Sequence, residues 1–288
     1  MIRSRLFLLL QYLLPKHLVT AAVYRLSRIR SSRFKNMAIK AFAKAYDIDT
    51  AEAEKNVPDD YATLNQFFTR ELKPGARPID GSTDSIIAPV DGTVSGIGRI
   101  HKRQLVQAKG IQYALDDLLA TDLSDVRTYA GGSFATIYLA PYNYHRVHSP
   151  LAATLQNARY VPGDLFSVND STVSMLPQLF ARNERLICHF ETAPQSMIVV
   201  FVGALNVGSI STPWTGEIRP RRRGIVDDIA LDYRDTPAQV AKGDLLGWFN
   251  MGSTVIVLLP PGQCRWHESV SAGTTVRMGE AIGTLGET

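Results

Sequence analysis

The sequence has 288 residues, of which 45% are apolar, enough to bury one sizeable core as a large domain or as a domain with an appendage. Its two cysteines, Cys188 and Cys264, are far apart and form no CxxC pair, so neither a disulfide framework nor a thiolate zinc site has support. The net charge of +4 is uneven, because residues 1–46 hold ten Lys or Arg and no acidic residue, leaving 21 basic residues against all 27 acidic ones.

The chain begins with an apolar run from Leu6 to Leu14, which Gln11 and Tyr12 interrupt and Pro15 closes. This run is too short to span a bilayer. No small-residue cleavage site follows it closely, which argues against a signal peptide.

Apolar residues then recur at helical spacing from Leu18 to Ile29, with seven basic residues around and after them. This pattern predicts basic amphipathic helices over residues 1–56 that lie on anionic lipid. The alternative is that the helices only cover the core and that their charges are solvated. Nucleic acid is a weaker partner, because no recognisable nucleic-acid module is present and the rest of the chain is acidic.

A polar, helical pattern follows between Asp47 and Arg77, with an apolar face of Leu64, Phe67 and Phe68. From Ile86 onward, short runs of Val, Ile, Thr and Tyr alternate with turn residues. This pattern predicts a mostly β domain of hairpins. The fold class is therefore α+β, with a β-rich domain over residues 57–288.

The segments APVDGTVSGIG and VRMGEAIGTLG resemble the opening and closing strands of a barrel-sandwich hybrid, the architecture of lipoyl and biotinyl carriers. A carrier needs a lysine at the hairpin tip. This chain has Val276-Arg277-Met278-Gly279 there, so the carrier hypothesis lacks its essential residue.

Three features have the chemistry of a catalytic site. Gly252-Ser253 stands before a predicted strand and, taken alone, indicates an ordinary turn. His145 and His148 follow the turn at Pro141-Tyr142-Asn143, and Asp91 lies in a strand-edge segment where an Asx turn is its ordinary role.

Two readings of these residues remain open. Asp91, His148 and Ser253 supply the carboxylate, imidazole and hydroxyl of an activated serine, of the kind used by peptidases. The pair of histidines, with His189 or Asp91, would instead supply ligands for a zinc hydrolase.

The chain resembles the phosphatidylserine decarboxylases over nearly its whole length. The segments that carry the resemblance are YHRVH at 144–148, PGDLFSVN at 162–169, VGALNVGSI at 202–210 and KGDLLGWFNMGST at 242–254. The most specific feature is GST following GWF, combined with the double histidine upstream.

The resemblance implies a proenzyme that cuts itself between Gly252 and Ser253 and turns Ser253 into a pyruvoyl group, which acts as an electron sink for converting phosphatidylserine to phosphatidylethanolamine. It implies that Asp91 and His148 activate Ser253 for self-cleavage, and that His145 handles the substrate or returns a proton. No metal or nucleic acid is expected. It also implies a homodimer of processed protomers, peripheral at the cytoplasmic face of the cell membrane.

Overall fold

The computed structural model describes residues 2–108, 110–121, 123–192, 196–206, 208–221, 224–231, 233 and 238–286. Val207, which belongs to one of the segments quoted above, lies outside the described residues. Within these ranges the helices are α1 (Ile2–Leu13), α2 (Lys16–Leu26), α3 (Ser32–Ala45), α4 (Leu64–Phe68), α5 (Leu115–Leu119), α6 (Leu123–Tyr129), α7 (Asp170–Val173) and α8 (Leu179–Arg182).

The strands of the described ranges are short, as the runs of β-branched residues between turn residues predict. They are β1 (Ser85–Ile87), β2 (Gly92–Arg99), β3 (Gln104–Ala108), β4 (Ile111–Ala114), β5 (Ser133–Tyr138), β6 (Arg146–His148), β7 (Ala153–Val161), β8 (Arg185–Glu191), β9 (Ser196–Val202), β10 (Ile210–Thr212), β11 (Gly216–Ile218), β12 (Asp227–Ile229), β13 (Gln239–Val240), β14 (Leu245–Phe249), β15 (Thr254–Leu259), β16 (Cys264–Trp266), β17 (Thr275–Val276) and β18 (Ala281–Leu285).

The largest sheet in the described part of the chain is antiparallel and has nine strands, with β15 near its middle between β9 and β5. All six residues of β15, TVIVLL, are buried. A strand covered on both faces is expected to be continuously apolar, and this one is apolar from Val255 to Leu259. Ser253 directly precedes β15 and therefore lies at the end of a fully buried strand that is paired on both sides.

The segments predicted to open and close the β domain pair with each other. β1 pairs with β18, and β17 pairs with β2 through Thr275–Thr93 and Val276–Gly92. Short helices followed by a mostly β domain confirm the predicted α+β class.

The helices α1 to α3, called the front helices below, contact the β domain through specific hydrogen bonds. The buried Gln11 donates to Thr172 at 3.0 Å and accepts from the backbone N–H of Ser167 at 2.7 Å. Farther along, Arg28 donates to Glu217 at 2.7 Å. Because buried amides need partners, Gln11 fixes α1 against the β domain.

Helix α4 joins the front helices to the rest of the molecule. Its N-cap is Thr63, whose hydroxyl accepts from the N–H of Gln66 at 3.1 Å, as the sequence Thr-x-x-Gln favours. Phe67 packs with Ile39 of α3 in a small apolar cluster, and Phe68 contacts Phe42 with ring centroids 5.8 Å apart.

None of the described helices has, by itself, the length and apolar character needed to cross a bilayer. The pair Phe7–Leu13 and Lys16–Leu26 meets the requirements of length and composition only when taken together, and it is bent by 88°.

A buried acid predicts how the stability of the fold depends on pH. Glu184 is 1% exposed and accepts a hydrogen bond from Tyr160 at 2.7 Å, while its Oε1 has no partner among the described residues. Burial raises the pKa of Glu184 to about 7 against the opposing effect of the Tyr160 hydrogen bond. Unfolding returns the pKa to about 4.3.

We therefore expect Glu184 to lower the free energy of unfolding as the pH rises from about 4.3 to about 7, because the unfolded chain loses its proton first. Above that range the effect is constant. Glu184→Gln should remove this dependence, so that its free energy of unfolding relative to the wild type rises by roughly 4 kcal/mol from about pH 4.3 to above about pH 7. Urea denaturation at several pH values measures it, and identical pH dependence in both proteins would contradict it.

Candidate active site

Ser253 lies at the amino end of β15. Its side chain is fully buried, and its Oγ has no hydrogen-bond partner among the described residues. Its carbonyl oxygen accepts from the N–H of Leu139 at 2.8 Å, which continues the pairing of β15 with β5. A buried hydroxyl without a partner is unfavourable in a core, so this position is better suited to chemistry than to stability.

The register of β6 against β14 decides which histidine lies near Ser253. Because the two strands are antiparallel, His148 is opposite Leu245, whereas the carbonyl of His145 accepts from the N–H of Phe249 at 3.1 Å. Phe249 is followed directly by the loop 250–252 that leads to Ser253. His145 is therefore the histidine that the sheet brings to the loop.

The ring of His145 is held as a neutral base. Its Nδ1 is 2.8 Å from the carbonyl oxygen of Asn143, which only accepts, so the proton lies on Nδ1 and Nε2 carries the lone pair. Burial first, and then the charge of Arg70, lower the pKa of His145 to about 3, although the hydrogen bond to Asn143 works against them. Phe68 covers the ring at 3.9 Å between centroids.

The free Nε2 of His145 faces Gly252. A Cβ added to Gly252 would lie 3.2 Å from this nitrogen and 3.4 Å from the carbonyl oxygen of Leu139. Glycine thus allows the imidazole to approach the backbone closely. Nε2 has no partner among the described residues, as is also true of Ser253 Oγ.

His148 is hydrogen-bonded at both ring nitrogens. Its Nδ1 lies 2.8 Å from the carbonyl oxygen of Gly243, and its Nε2 lies 3.1 Å from the hydroxyl of Tyr144. Nδ1 therefore donates to Gly243, and Nε2 accepts from Tyr144. Burial is the main cause that lowers the pKa of His148, with a smaller contribution from Arg146.

Asp91 is buried and forms an ion pair with Arg77. Arg77 donates to its carboxylate at 2.8 Å through Nε and 2.6 Å through Nη2, and the N–H of Met278 donates at 2.9 Å. Burial opposes the charge of Arg77, but its hydrogen bonds to Asp91 and Glu52 outweigh that effect and raise its pKa. The sequence contains no local pattern that would have indicated Arg77 as the partner.

The structure thus brings Asp91 and His148 into one neighbourhood without joining their side chains. The N–H of His148 donates to the carbonyl of Pro89 at 2.8 Å, two residues before Asp91. Among the described residues, no hydrogen bond joins Asp91 to His148 or His148 to Ser253. The roles that the resemblance implies for these three residues remain predictions.

The loop 250–252 is anchored by amides that the sequence pattern did not single out. Asn65 of α4 donates through its side chain to the carbonyl oxygen of Asn250 at 2.7 Å. The side chain of Asn250 donates to Ser209 at 2.8 Å and to Ser211 at 3.1 Å. These buried bonds hold the backbone just before Gly252 in one position.

A cleft with a volume of about 180 Å³ opens beside Gly252. Most of its wall is apolar or aromatic, and Phe42 of α3 and Tyr46, which directly follows α3, form part of it. Its complete lining is Phe42, Tyr46, Phe68, Tyr138, Leu139, Pro141, Ser167, Val168, Ala204, Leu205, Asn206, Met251 and Gly252. A cleft with such a wall is a suitable place for a ligand with an apolar part.

The zinc hypothesis receives no support from the geometry. His189 lies in β8, opposite Asn157 and Ile198. In the described ranges, His145, His148 and His189 do not form a cluster, and no group of three or more His, Cys, Asp or Glu residues is placed to hold a metal ion.

Comparison with known proteins adds an independent finding. The family model described as phosphatidylserine decarboxylase matches residues 64–284, and a second model, described as PSD, matches residues 6–47. Similar proteins include phosphatidylserine decarboxylase proenzymes of Methylococcus capsulatus (46% identity, 97% of this chain and 96% of the relative) and Ectopseudomonas mendocina (45% identity, 98% of each). The proenzyme of Pseudomonas putida is 46% identical, over 97% of this chain and 98% of its own length.

Proposed function

Since the chain belongs to the phosphatidylserine decarboxylase family, we propose that it makes its own catalytic group from Ser253 and converts phosphatidylserine to phosphatidylethanolamine. The enzyme is a decarboxylase, a carboxy-lyase made as a proenzyme. The observation that carries the proposal is the buried Ser253 Oγ, which has no partner in the described part of the chain, next to a glycine that faces Nε2 of His145.

Self-cleavage requires Ser253 Oγ to attack the carbonyl carbon of Gly252, so that the peptide bond passes from nitrogen to oxygen as an ester. Removal of the Cα proton of residue 253 then breaks its Cβ–Oγ bond, and the electron pair leaves with Oγ on the new Gly252 carboxylate. Water then hydrolyses the remaining dehydroalanine at its Cα, where oxygen takes the place of nitrogen and ammonia is released. The products are fragments 1–252 and 253–288, the second beginning with a pyruvoyl group.

Asp91 and His148 are the proposed activating residues for this cleavage. Support comes from their shared neighbourhood and from the burial that keeps His148 neutral, as a base must be. The role requires the hydroxyl of Tyr144 to release Nε2 of His148, since that nitrogen is hydrogen-bonded to it.

When present, the pyruvoyl group supplies an electron sink for the pair left by carbon dioxide. The residues around Ser253 fit such a group, because Oγ is buried without a partner and Gly252 leaves space for His145. We assign His145 to substrate handling and to returning a proton at the reacting carbon. Its ring, fixed by Asn143 and covered by Phe68, is oriented for proton transfer through Nε2, which must first accept from the substrate's ammonium group the proton that it returns to carbon.

Intact mass under denaturing conditions tests the proposal. We expect fragments 1–252 and 253–288, with the smaller fragment lighter than its serine-ended form by one ammonia. Carbon dioxide released from phosphatidylserine labelled in its carboxyl group should require the processed protein. A serine-ended fragment would indicate simple proteolysis, and a stable single chain in the presence of lipid would contradict self-cleavage.

The membrane surface is the proposed place of action, at the cytoplasmic face. The front helices expose large apolar side chains, among them Leu13 at 74% and Leu18 at 72%, within the basic part of the chain. Phe42 of α3 and Tyr46, the residue after α3, line the cleft beside Gly252. A lipid substrate would then pass from the bilayer to the cleft without crossing water.

We expect Leu13→Ser combined with Leu18→Ser to weaken sedimentation with vesicles of anionic lipid about tenfold or more, because each lost apolar side chain contributes on the order of 1–2 kcal/mol. Ile225→Ser, at a site 87% exposed outside the front helices, is the matched control. An equal loss of vesicle binding in the double variant and in the Ile225→Ser control would contradict a membrane contact through Leu13 and Leu18. Deleting residues 1–46 is a poorer test, because it also removes Ile39 and Phe42 from the core.

A homodimer of processed protomers is part of the same proposal. Light scattering of the detergent-solubilised protein tests it, and a monomer at all concentrations would contradict it.

A further inference from the structure

Arg70 is a buried cation close to the candidate active site. It is 5% exposed, and it follows Phe68, which covers the ring of His145, by two residues. Its Nη2 is 3.4 Å from the carbonyl oxygen of Tyr142, in the turn whose Asn143 carbonyl holds His145. The guanidinium is thus located between α4 and the turn that carries the histidine.

The guanidinium of Arg70 is largely unpaired. Its Nε and Nη1 are buried and have no hydrogen-bond partner among the described residues, and no carboxylate of the described residues forms an ion pair with it. Asp91 and Glu52, whose charges reach Arg70, both accept hydrogen bonds from Arg77. The ring of Phe67, 5.3 Å from the guanidinium carbon, offers a weak contact in place of an anion.

An unpaired buried charge is unfavourable for stability, because desolvation is not offset by a partner. Burial accordingly lowers the pKa of Arg70. The planar guanidinium, with several N–H groups, binds a carboxylate through two parallel hydrogen bonds better than any other side chain does. A cation left in this state beside a reactive centre fits an anion that arrives or forms during the reaction.

We propose that Arg70 is a carboxylate-binding residue of this site. The inference rests on the proposed function, because two carboxylates arise there. One is the new carboxylate of Gly252 released by self-cleavage, and the other is the carboxylate of the serine head group of the substrate. Each brings carboxylate oxygens that can accept a hydrogen bond from the unpartnered Nε or Nη1 of Arg70.

In the first case Arg70 acts on the elimination step. The Cα proton of residue 253 leaves to a base, the Cβ–Oγ bond breaks, and its electron pair stays on Oγ, which becomes an oxygen of the Gly252 carboxylate and brings its single negative charge. Nε2 of His145 faces Gly252, while its Nδ1 is bonded to the carbonyl oxygen of Asn143, next to the Tyr142 carbonyl that Arg70 contacts, so one imidazole ring separates Gly252 from the turn that Arg70 contacts. A fixed positive charge there lowers the energy of the leaving group as it forms.

The experiment compares Arg70→Gln with the conservative variant Arg70→Lys. The control is Arg159→Gln, which breaks an exposed ion pair with Asp228. Self-cleavage is followed by intact mass, with hydroxylamine added to trap any ester at Gly252. If Arg70 binds the carboxylate of Gly252, the Arg70→Gln protein should accumulate the ester and cut itself about ten- to a hundredfold more slowly. Arg70→Lys should recover part of the rate, and the control should match the wild type.

If Arg70 binds the carboxylate of the substrate, the Arg70→Gln protein should cut itself at the normal rate. The processed enzyme should then show a KM for phosphatidylserine raised about tenfold or more, while the control is unchanged. Normal cutting together with normal KM and kcat would overturn the proposal. A wild-type chain that is not cut, or that gives a serine-ended fragment, would instead overturn the proposed function.

A second measurement does not depend on turnover. In the uncut Ser253→Ala chain no new carboxylate forms, so Arg70→Met should raise Tm by about 2–4 °C because it removes an unpaired buried charge. A purely structural role for Arg70 predicts a lower Tm for Arg70→Met. That result would count against the proposal that Arg70 binds a carboxylate.

Discussion

Ser253→Ala is expected to remain a single chain of 288 residues and to lose decarboxylation by roughly three orders of magnitude or more. The substitution removes the only oxygen that can attack Gly252 from the neighbouring residue, and it also removes the precursor of the catalytic group. The fold should be unaffected, because Ser253 Oγ has no partner in the described structure to lose. Intact mass and labelled carbon dioxide measure the two effects.

Thr254→Val is the matched control for this experiment. Its hydroxyl is also buried and has no partner among the described residues, and valine has nearly the same shape. The control should be cut at the wild-type position. A cut Ser253→Ala chain together with an uncut Thr254→Val chain would assign the nucleophile to Thr254 and contradict the proposed mechanism.

The two histidines are expected to separate cleavage from decarboxylation. His148→Ala, like Asp91→Ala, should leave the chain whole. His145→Ala should still be cut, but it should decarboxylate roughly 10²–10⁴-fold more slowly, the usual contribution of a positioned acid or base. Time courses of intact mass, followed by turnover of whatever processed enzyme forms, separate the two effects.

The geometry makes the opposite result informative. Nε2 of His145 is the imidazole nitrogen next to Gly252, whereas both nitrogens of His148 are hydrogen-bonded. An uncut His145→Ala chain with a normally cut His148→Ala chain would exchange the two roles. Tyr144→Phe adds a sharper test, since freeing Nε2 of His148 should speed cleavage if His148 is the base.

Local patterns predicted much of the framework. Of the helical pattern predicted between Asp47 and Arg77, the described structure has a helix only at Leu64–Phe68, where the apolar residues Phe67 and Phe68 are buried. The buried strand predicted after Ser253 is present. The front helices are also present, yet their contacts with the β domain, such as Gln11 to Thr172, join residues far apart in the chain.

The sequence by itself determined the family, the α+β class and a set of chemically suitable residues around Gly252 and Ser253. These depend on residue types and on short-range periodicity. Only the tertiary structure decided that His145 faces Gly252, that Asp91 is bound by Arg77 and that no described carboxylate pairs with Arg70. The reason is that strand register and desolvation arise from contacts between distant segments. A register shift of one residue between β6 and β14 would turn the side chains of β6 to the opposite face of the sheet.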